Sequence, residues 1–260
     1  MVIGGFSMER IAIISDIHGN ITALEAVLED ISKKGIKRIF CLGDIIGKGP
    51  FPETAVDIVR SKCERVVRGN WDTFIVNNGS YDVEVGEWNI NKLGPDRIEY
   101  LKQLPLYIEF FMSGRLIRLF HATSDDVFKR ILGVEPVEVK LCMFDKPKDD
   151  LATDRYSDVV GYGDIHNAYV QNFRDKTIFN VGSVGNPLDI RQSAYAIIEG
   201  IWDKREQDSF SVTLVRVPYD IEKAVKEAED EIGMPERDEY ITELRTGKYR
   251  GSSKKKENNS

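Results

Sequence analysis

Seven polar residues in this sequence have the types and the placement that metal-assisted chemistry needs. They are Asp16 and His18 in Ser-Asp-Ile-His-Gly, Asp44 in Leu-Gly-Asp, Asn70 in Arg-Gly-Asn, His121 in Leu-Phe-His, and Asp164 and His166 in Gly-Asp-Ile-His. The chain has only three histidines, and all three belong to this set. A single one would read as an ordinary hydrogen-bonded side chain, but three in matching contexts beside carboxylates point to a metal site. Carboxylate, imidazole and amide donors without thiolate suit Mn²⁺, Fe or Zn²⁺ in a reactive site and do not suit a structural zinc cage. Ions held this way lower the pKa of bound water from about 15.7 to about 7, worth roughly 12 kcal/mol of deprotonation free energy.

The elements that must position these residues alternate between strand and helix in the first third, the pattern of βαβ units around a mostly parallel sheet. Ile11 to Ser15, Arg38 to Leu42 and Glu64 to Arg68 read as strands, so Asp16, Asp44 and Asn70 all fall at carboxyl ends, where open α/β sheets bind ligands. Thr22 and Glu25 offer a capping box for a helix with Leu24, Val27, Leu28 and Ile31 on its apolar face, and a second helix covers Pro52 to Ser61. Residues 72–104 turn helical and form an expected insertion near a pocket entrance, where substrate choice could lie. Leu106 to Met112 and Leu116 to Phe120 form a hairpin through Ser113 and Gly114. Strands at Asp158 to Tyr162, Tyr169 to Arg174, Thr177 to Val181, Ala194 to Glu199 and Phe210 to Pro218 supply a second sheet. Helices at Ile221 to Ile232 and Glu236 to Arg245 close a single domain spanning residues 8–250. The Ser-, Lys- and Asn-rich tail, 251–260, has little to bury and is expected to be disordered.

With its five motifs in this order, the chain resembles the calcineurin-like metallophosphoesterases over nearly its whole length. The resemblance implies an α/β fold, a four-layer αββα sandwich with two mixed sheets, and two divalent metal ions. Mn²⁺ or Fe would lead, with Zn²⁺ a further option. It implies that Asp16, His18 and His166 hold one ion, that Asp44 bridges, and that Asn70, His121 and Asp164 hold the other. Hydrolysis would use metal-bound hydroxide, with Asp44, Asn70 and Lys48 as the catalytic set. The stretch Asn180 to Pro187 looks like the family's Gly-rich segment and is expected to shape the second-metal side.

Two departures from the family pattern bear on substrate. Where the family has histidine after Gly-Asn, assisting the leaving group, this chain has Trp71. Losing a general acid typically costs ~10²- to 10⁴-fold, and most when the leaving group is a basic alkoxide. A phosphoanhydride needs the acid far less, and the Gly-Asn-Trp variant is similar to the bacterial asymmetric diadenosine tetraphosphate hydrolase-like branch. Trp71 could also stack on adenine for roughly 1 to 3 kcal/mol. The second departure is Asp164, where the family has histidine; a carboxylate there favours Mn²⁺ or Fe²⁺. Lys48, Arg68 and Arg191 are candidate phosphate-binding cations, Lys48 acting as a point charge without bidentate geometry. The leading expectation is hydrolysis of a phosphoanhydride such as diadenosine tetraphosphate. A phosphodiesterase or phosphoprotein phosphatase, or a weakly catalytic metal- and nucleotide-binding regulator, stays open.

Composition bounds the partners. Acidic residues outnumber basic ones by 43 to 36, for a net charge of −7, so an extended nucleic-acid surface is not expected. The apolar runs are too short to span a bilayer, and Met1 to Ser7 makes a poor secretory signal, so a cytoplasmic protein acting on a phosphorylated, nucleotide-like small molecule is expected. Cys41, Cys63 and Cys142 have no metal-type spacing and read as buried packing residues. Both a monomer and a homo-oligomer fit the sequence.

Overall fold

In the computed structural model, which describes residues 7–77, 83–148 and 155–250, the apolar run at the start becomes a central strand. Strand β1 (Met8–Ile14) pairs parallel with β2 (Arg38–Cys41) and antiparallel with β9 (Ser193–Ile201). Adding β3 (Arg65–Val66) and β10 (Ser211–Val217) gives a mixed sheet in the order β10-β9-β1-β2-β3. The Ile-Ala-Ile-Ile run is buried on both faces, as a central strand covered on two sides must be. Ala12 and Ile14 pack with the helices, while Ile11 and Ile13 point to the second sheet.

That second sheet has the order β4-β5-β6-β8-β7. Its strands are β4 (Tyr107–Met112), β5 (Arg115–Phe120), β6 (Val159–Tyr162), β7 (Tyr169–Asn172) and β8 (Thr177–Asn180). The β4–β5 hairpin closes through Ser113 and Gly114, both at positive φ, as tight two-residue hairpins require. Phe110, Ile117, Leu119 and Phe179 meet Ile11, Ile13, Phe40 and Leu42 in a core between the two sheets.

Helices complete the four layers. On the first sheet lie α1 (Ile21–Lys33), α2 (Pro52–Lys62), α3 (Asn70–Val76) and α4 (Val83–Gln103), the last kinked at Gly94 before Pro95. The outer face of the second sheet carries a thinner layer, α5 (Val137–Leu141) and a 3-10 turn at Cys142–Phe144, packed through Met143 and Phe144 onto Phe120, Val160 and Tyr162. Helices α6 (Ile221–Asp230) and α7 (Arg237–Thr246) form a small apolar cluster of their own with Trp88.

Several sequence expectations need correction. The segments at Ala194 to Glu199 and Phe210 to Pro218, expected in the second sheet, join the first as β9 and β10, because β9 pairs antiparallel with β1 and β10 with β9. Helix α1 is capped by Asn20, whose side chain accepts from the Ala23 amide at 3.0 Å; Thr22 spends its hydroxyl on Glu227 instead. Of the cysteines only Cys41 is buried, Cys63 is half-buried and Cys142 exposed. Within the segment expected as an insertion, 72–104, Phe74 of α3 lines the cavity described below, whereas α4 buries its apolar face, Val85, Leu93 and Leu101, in the helical layer and supplies no residue to that wall. The tail at 251–260 lies outside the described residues. No helix among the described residues is long and apolar enough to cross a membrane.

Candidate metal centre and substrate cavity

Backbone hydrogen bonds stitch the strand ends into one surface. The Asp16 amide donates to the Gly43 carbonyl at 3.0 Å, and the Ile17 and His18 amides both donate to the Asp44 carbonyl at 2.8 and 3.0 Å. The Gly163 amide donates to the His121 carbonyl at 2.9 Å within the second sheet, and the Val184 amide donates to the Ser15 carbonyl at 3.0 Å, joining the two sheets' loops at the site. These approaches leave no room for side chains: a Cβ on Gly69 would lie 2.2 Å from the Asp44 amide nitrogen, and one on Gly185 would lie 1.8 Å from the Ile17 carbonyl. Asp16, His18, Asp44, Asp164 and His166 all have φ between 49° and 65°, a left-handed conformation that is costly for non-glycine residues and tends to be stored at functional sites.

The side chains converge as their sequence positions imply. Asp16 Oδ1 lies 3.1 Å from His166 Nε2 and 3.9 Å from His18 Nε2, and the two Nε2 atoms are 3.1 Å apart. Asp44 spans two groups, with Oδ2 at 3.7 Å from His18 Nε2 and Oδ1 at 3.4 Å from His121 Nε2. Asn70 Oδ1 is 3.1 Å from His121 Nε2. Two clusters with ligand geometry result, Asp16–His18–His166 and Asp16–Asp44–His121, so Asp16 as well as Asp44 faces both.

These residues fit a cation pair on grounds internal to the fold. Each histidine directs Nδ1 at a backbone carbonyl: His18 at Ile46 (3.0 Å), His121 at Leu42 (2.8 Å) and His166 at Asn186 (2.5 Å). A carbonyl only accepts, so Nδ1 carries the hydrogen and the neutral ring presents a bare Nε2 lone pair. Two such lone pairs, on His18 and His166, then face each other and the Asp16 carboxylate, acceptor against acceptor, and Asp16 Oδ1 is buried with no hydrogen bond. A divalent cation resolves this conflict, and an Nδ1–H held by a carbonyl is the usual support of a metal-binding imidazole.

Protonation in the metal-free protein follows the same charges. Burial lowers the His121 pKa, but Asp44, Asp16 and Asp164 outweigh it and push it up to about 9. Burial, with the nearby His166 and Lys48 charges, holds His18 well below its usual value. Burial raises Asp44 well above the carboxylate range, and Asp16 and Asp72 add to the effect.

Around the centre opens a cavity of about 630 Å³, lined by Asp44, Lys48, Asn70, Trp71, Asp164 and His166 together with Phe74, Phe128, Arg130, Leu132, Leu188, Tyr249 and Arg250. Trp71 packs edge-on to His18, with ring centroids 6.4 Å apart, and its amide donates to Asp44 Oδ1 at 2.8 Å. Lys48 reaches Asn186 Oδ1 at 2.9 Å and Glu243 Oε2 at 3.2 Å. Arg68 and Arg191, expected as phosphate ligands, do not line the cavity; their guanidinium groups donate to the Lys102 and Arg245 carbonyls. Asp164 lies 3.9 Å from His121 Nε2, but both its oxygens accept from Arg130, at 3.0 and 3.1 Å. The Asn180 to Pro187 stretch serves the opposite side from the one expected: the Ser183 hydroxyl and Gly185 amide donate to the Asp16 carbonyl, and the Asn186 carbonyl holds His166.

Residues that the sequence pattern did not disclose complete the site. Asp72, buried, accepts from the Gly69 amide at 2.9 Å and the Ile45 amide at 3.1 Å, tying the Asn70 loop to the Asp44 loop. Arg130, Tyr249, Arg250 and Glu243 form or support the wall, from segments with no motif.

A pair of sheets presenting carboxylate, imidazole and amide donors at their shared strand ends, beneath a cavity edged with cations, defines a metal-dependent phosphoesterase. Residues 9–200 match the calcineurin-like phosphoesterase superfamily domain, and the chain belongs to that family. It is 34% identical over 237 residues to an uncharacterized protein of Methanocaldococcus jannaschii, MJ0912, covering 82% of this chain and 89% of that one. A metallophosphoesterase from Sphaerobacter thermophilus superposes with a TM-score of 0.70 at 25% identity, over 92% of this chain and 99% of that chain. The Pyrococcus horikoshii OT3 protein PH1004 shares the fold, with a TM-score of 0.72 at 20% identity over 92% and 99% of the two chains.

Proposed function

We propose that this phosphoesterase hydrolyses a phosphoanhydride in a nucleotide-like substrate such as diadenosine tetraphosphate. The observation that carries the reading is Trp71, which lines the cavity directly after Asn70 and cannot supply a proton to a departing oxygen. All three histidines of the chain have Nδ1 turned to a backbone carbonyl and Nε2 turned into the candidate metal centre, so none is left to act as the acid. A phosphate or nucleotide leaving group, already stable as an anion, tolerates that loss; a basic alkoxide does not.

The residues have separable roles in this reading. Asp16, His18 and His166 would hold one divalent ion, and Asn70 and His121 the other, with Asp44 between them; Mn²⁺ or Fe suits the donor set. When bound, such ions supply water acidified to a pKa of about 7 and neutralise phosphate oxygens. Asp44 is kept in place by the Trp71 amide, and Asn70 by its position at the start of α3. Lys48, whose ammonium is fixed by Asn186 and Glu243, adds a positive charge to the cavity wall. Trp71, Phe74, Phe128 and Tyr249 give the cavity aromatic surface suited to a nucleobase. Free thiols at Cys41, Cys63 and Cys142 agree with a cytoplasmic location.

Leaving-group dependence tests the reading. With Mn²⁺ present, kcat/KM for a dinucleoside polyphosphate should exceed that for an alkyl phosphate monoester by about 10²-fold or more. Faster turnover of the monoester would refute it, and failure to cleave even a nitrophenyl phosphodiester would favour the regulator reading.

A further inference from the structure

Arg130 stands apart from the other cations of the cavity. Lys48 is only 7% exposed and is engaged by Asn186 and Glu243, and Arg250 is engaged by Glu243 and Glu236. Arg130 is 46% exposed, while the Asp164 carboxylate it meets is 3% exposed. Its Nε donates to Asp164 Oδ2 at 3.1 Å and its Nη2 to Oδ1 at 3.0 Å, so one edge of the guanidinium is fixed flat against a buried carboxylate. A guanidinium has five N–H donors, and among the described residues two are spent on Asp164. The remaining three are available to the cavity that Arg130 lines beside Asp44, Asn70 and His166.

We infer that Arg130 is a substrate-binding residue, grasping non-bridging oxygens of a phosphoryl group in the cavity, and that Asp164 is the positioning residue that aims it. A planar fork recognises two phosphate oxygens at once, which an ammonium cannot do. The arrangement accounts for both sides of the pair. Asp164 fixes the fork without consuming it, and Arg130 compensates a buried carboxylate close to Asp16 and Asp44. The ligand class is an anion with at least two free phosphate oxygens, such as the outer phosphates of a polyphosphate chain. This inference rests on the proposed function only in placing a phosphate in this cavity.

The test measures inorganic phosphate binding to Mn²⁺-loaded full-length protein by calorimetry, with metal content counted for each variant. Arg130→Ala should weaken phosphate binding roughly 10- to 100-fold with metal content unchanged, as loss of charge-assisted hydrogen bonds predicts. Arg130→Lys should recover only part of it. Asp164→Asn should raise KM more than it lowers kcat, and should add little in the Arg130→Ala background, since it acts through Arg130. Phosphate binding that is absent in the parent protein, or within about twofold of the parent in Arg130→Ala, overturns the assignment. So does loss of one metal per chain in Asp164→Asn with coupling to Arg130 absent. Phosphate binding needs no turnover, so a protein that binds phosphate through Arg130 yet leaves dinucleoside polyphosphates intact would refute the anhydride reading alone.

Discussion

The Nε2 atoms of His18 and His166 face each other at 3.1 Å, although each ring has its Nδ1 directed at a backbone carbonyl. Two lone pairs held this close repel in a neutral site, and the left-handed backbone at both residues adds strain. The fold therefore stores unfavourable free energy where the cation is expected, and cation binding should release it.

Metal removal should accordingly lower stability. Mn²⁺ at about 100 times its dissociation constant adds about 2.7 kcal/mol, which for a chain of this size raises Tm by about 5 to 10 °C. Scanning calorimetry of chelator-treated protein, with and without Mn²⁺, reads this directly; equal Tm values would contradict it.

Asp72 should matter for folding although it lies outside the metal set. Asp72→Ala leaves the Gly69 and Ile45 amides without their acceptor, at about 1 to 3 kcal/mol each. Asp72→Asn keeps one acceptor oxygen and should cost less. Urea unfolding of both variants measures the difference, and a harmless Asp72→Ala would remove Asp72 from the scaffold.

Glu243 should link stability to acid. Burial alone would raise its pKa, but the Lys48 charge and the Arg250 charge and hydrogen bonds bring it down from 4.5 to about 2. A depressed folded pKa stabilises the protein above the unfolded pKa, and the contribution fades as pH falls from 4.5 through 2. That shift corresponds to about 3 kcal/mol near neutral pH. Glu243→Gln should lose it at pH 7 and differ little from the parent near pH 2. Parallel urea titrations at these values would show a constant difference if the Lys48–Glu243–Arg250 network were inert.

Trp71→Ala should raise KM for diadenosine tetraphosphate about 10-fold, the lower end of what base stacking supplies, while leaving KM for inorganic tripolyphosphate much less changed. Equal effects on the two substrates would assign Trp71 to packing over Gly47 and beside Phe74.

The candidate metal set was legible because each of its members follows a strand, but the sheet order was not: the segments expected in the second sheet at Ala194 to Glu199 and Phe210 to Pro218 join the first, as β9 beside β1 and β10 beside β9, pairings that segment pattern does not encode. Asp16, Asp44 and Asn70 come together because β1, β2 and β3 are adjacent and parallel. The rest depends on contacts that sequence spacing does not encode. Arg130 meets Asp164 across 34 residues, from a loop without periodicity, and Lys48 meets Glu243 across 195. Asn20 was missed as a cap because Thr22 and Glu25 offered the more familiar pattern. In the fold Asn20 caps α1 and also donates to the Gly185 carbonyl at 2.8 Å. Helix α4 could not be placed from its amphipathic pattern, which shows that one face is buried but not what buries it.

The most direct test of the anhydride reading is hydrolysis of diadenosine tetraphosphate by metal-stripped protein, with and without added Mn²⁺, with products separated by chromatography. Release of ATP and AMP that requires Mn²⁺ is the predicted result. Intact substrate in the presence of bound metal would contradict it.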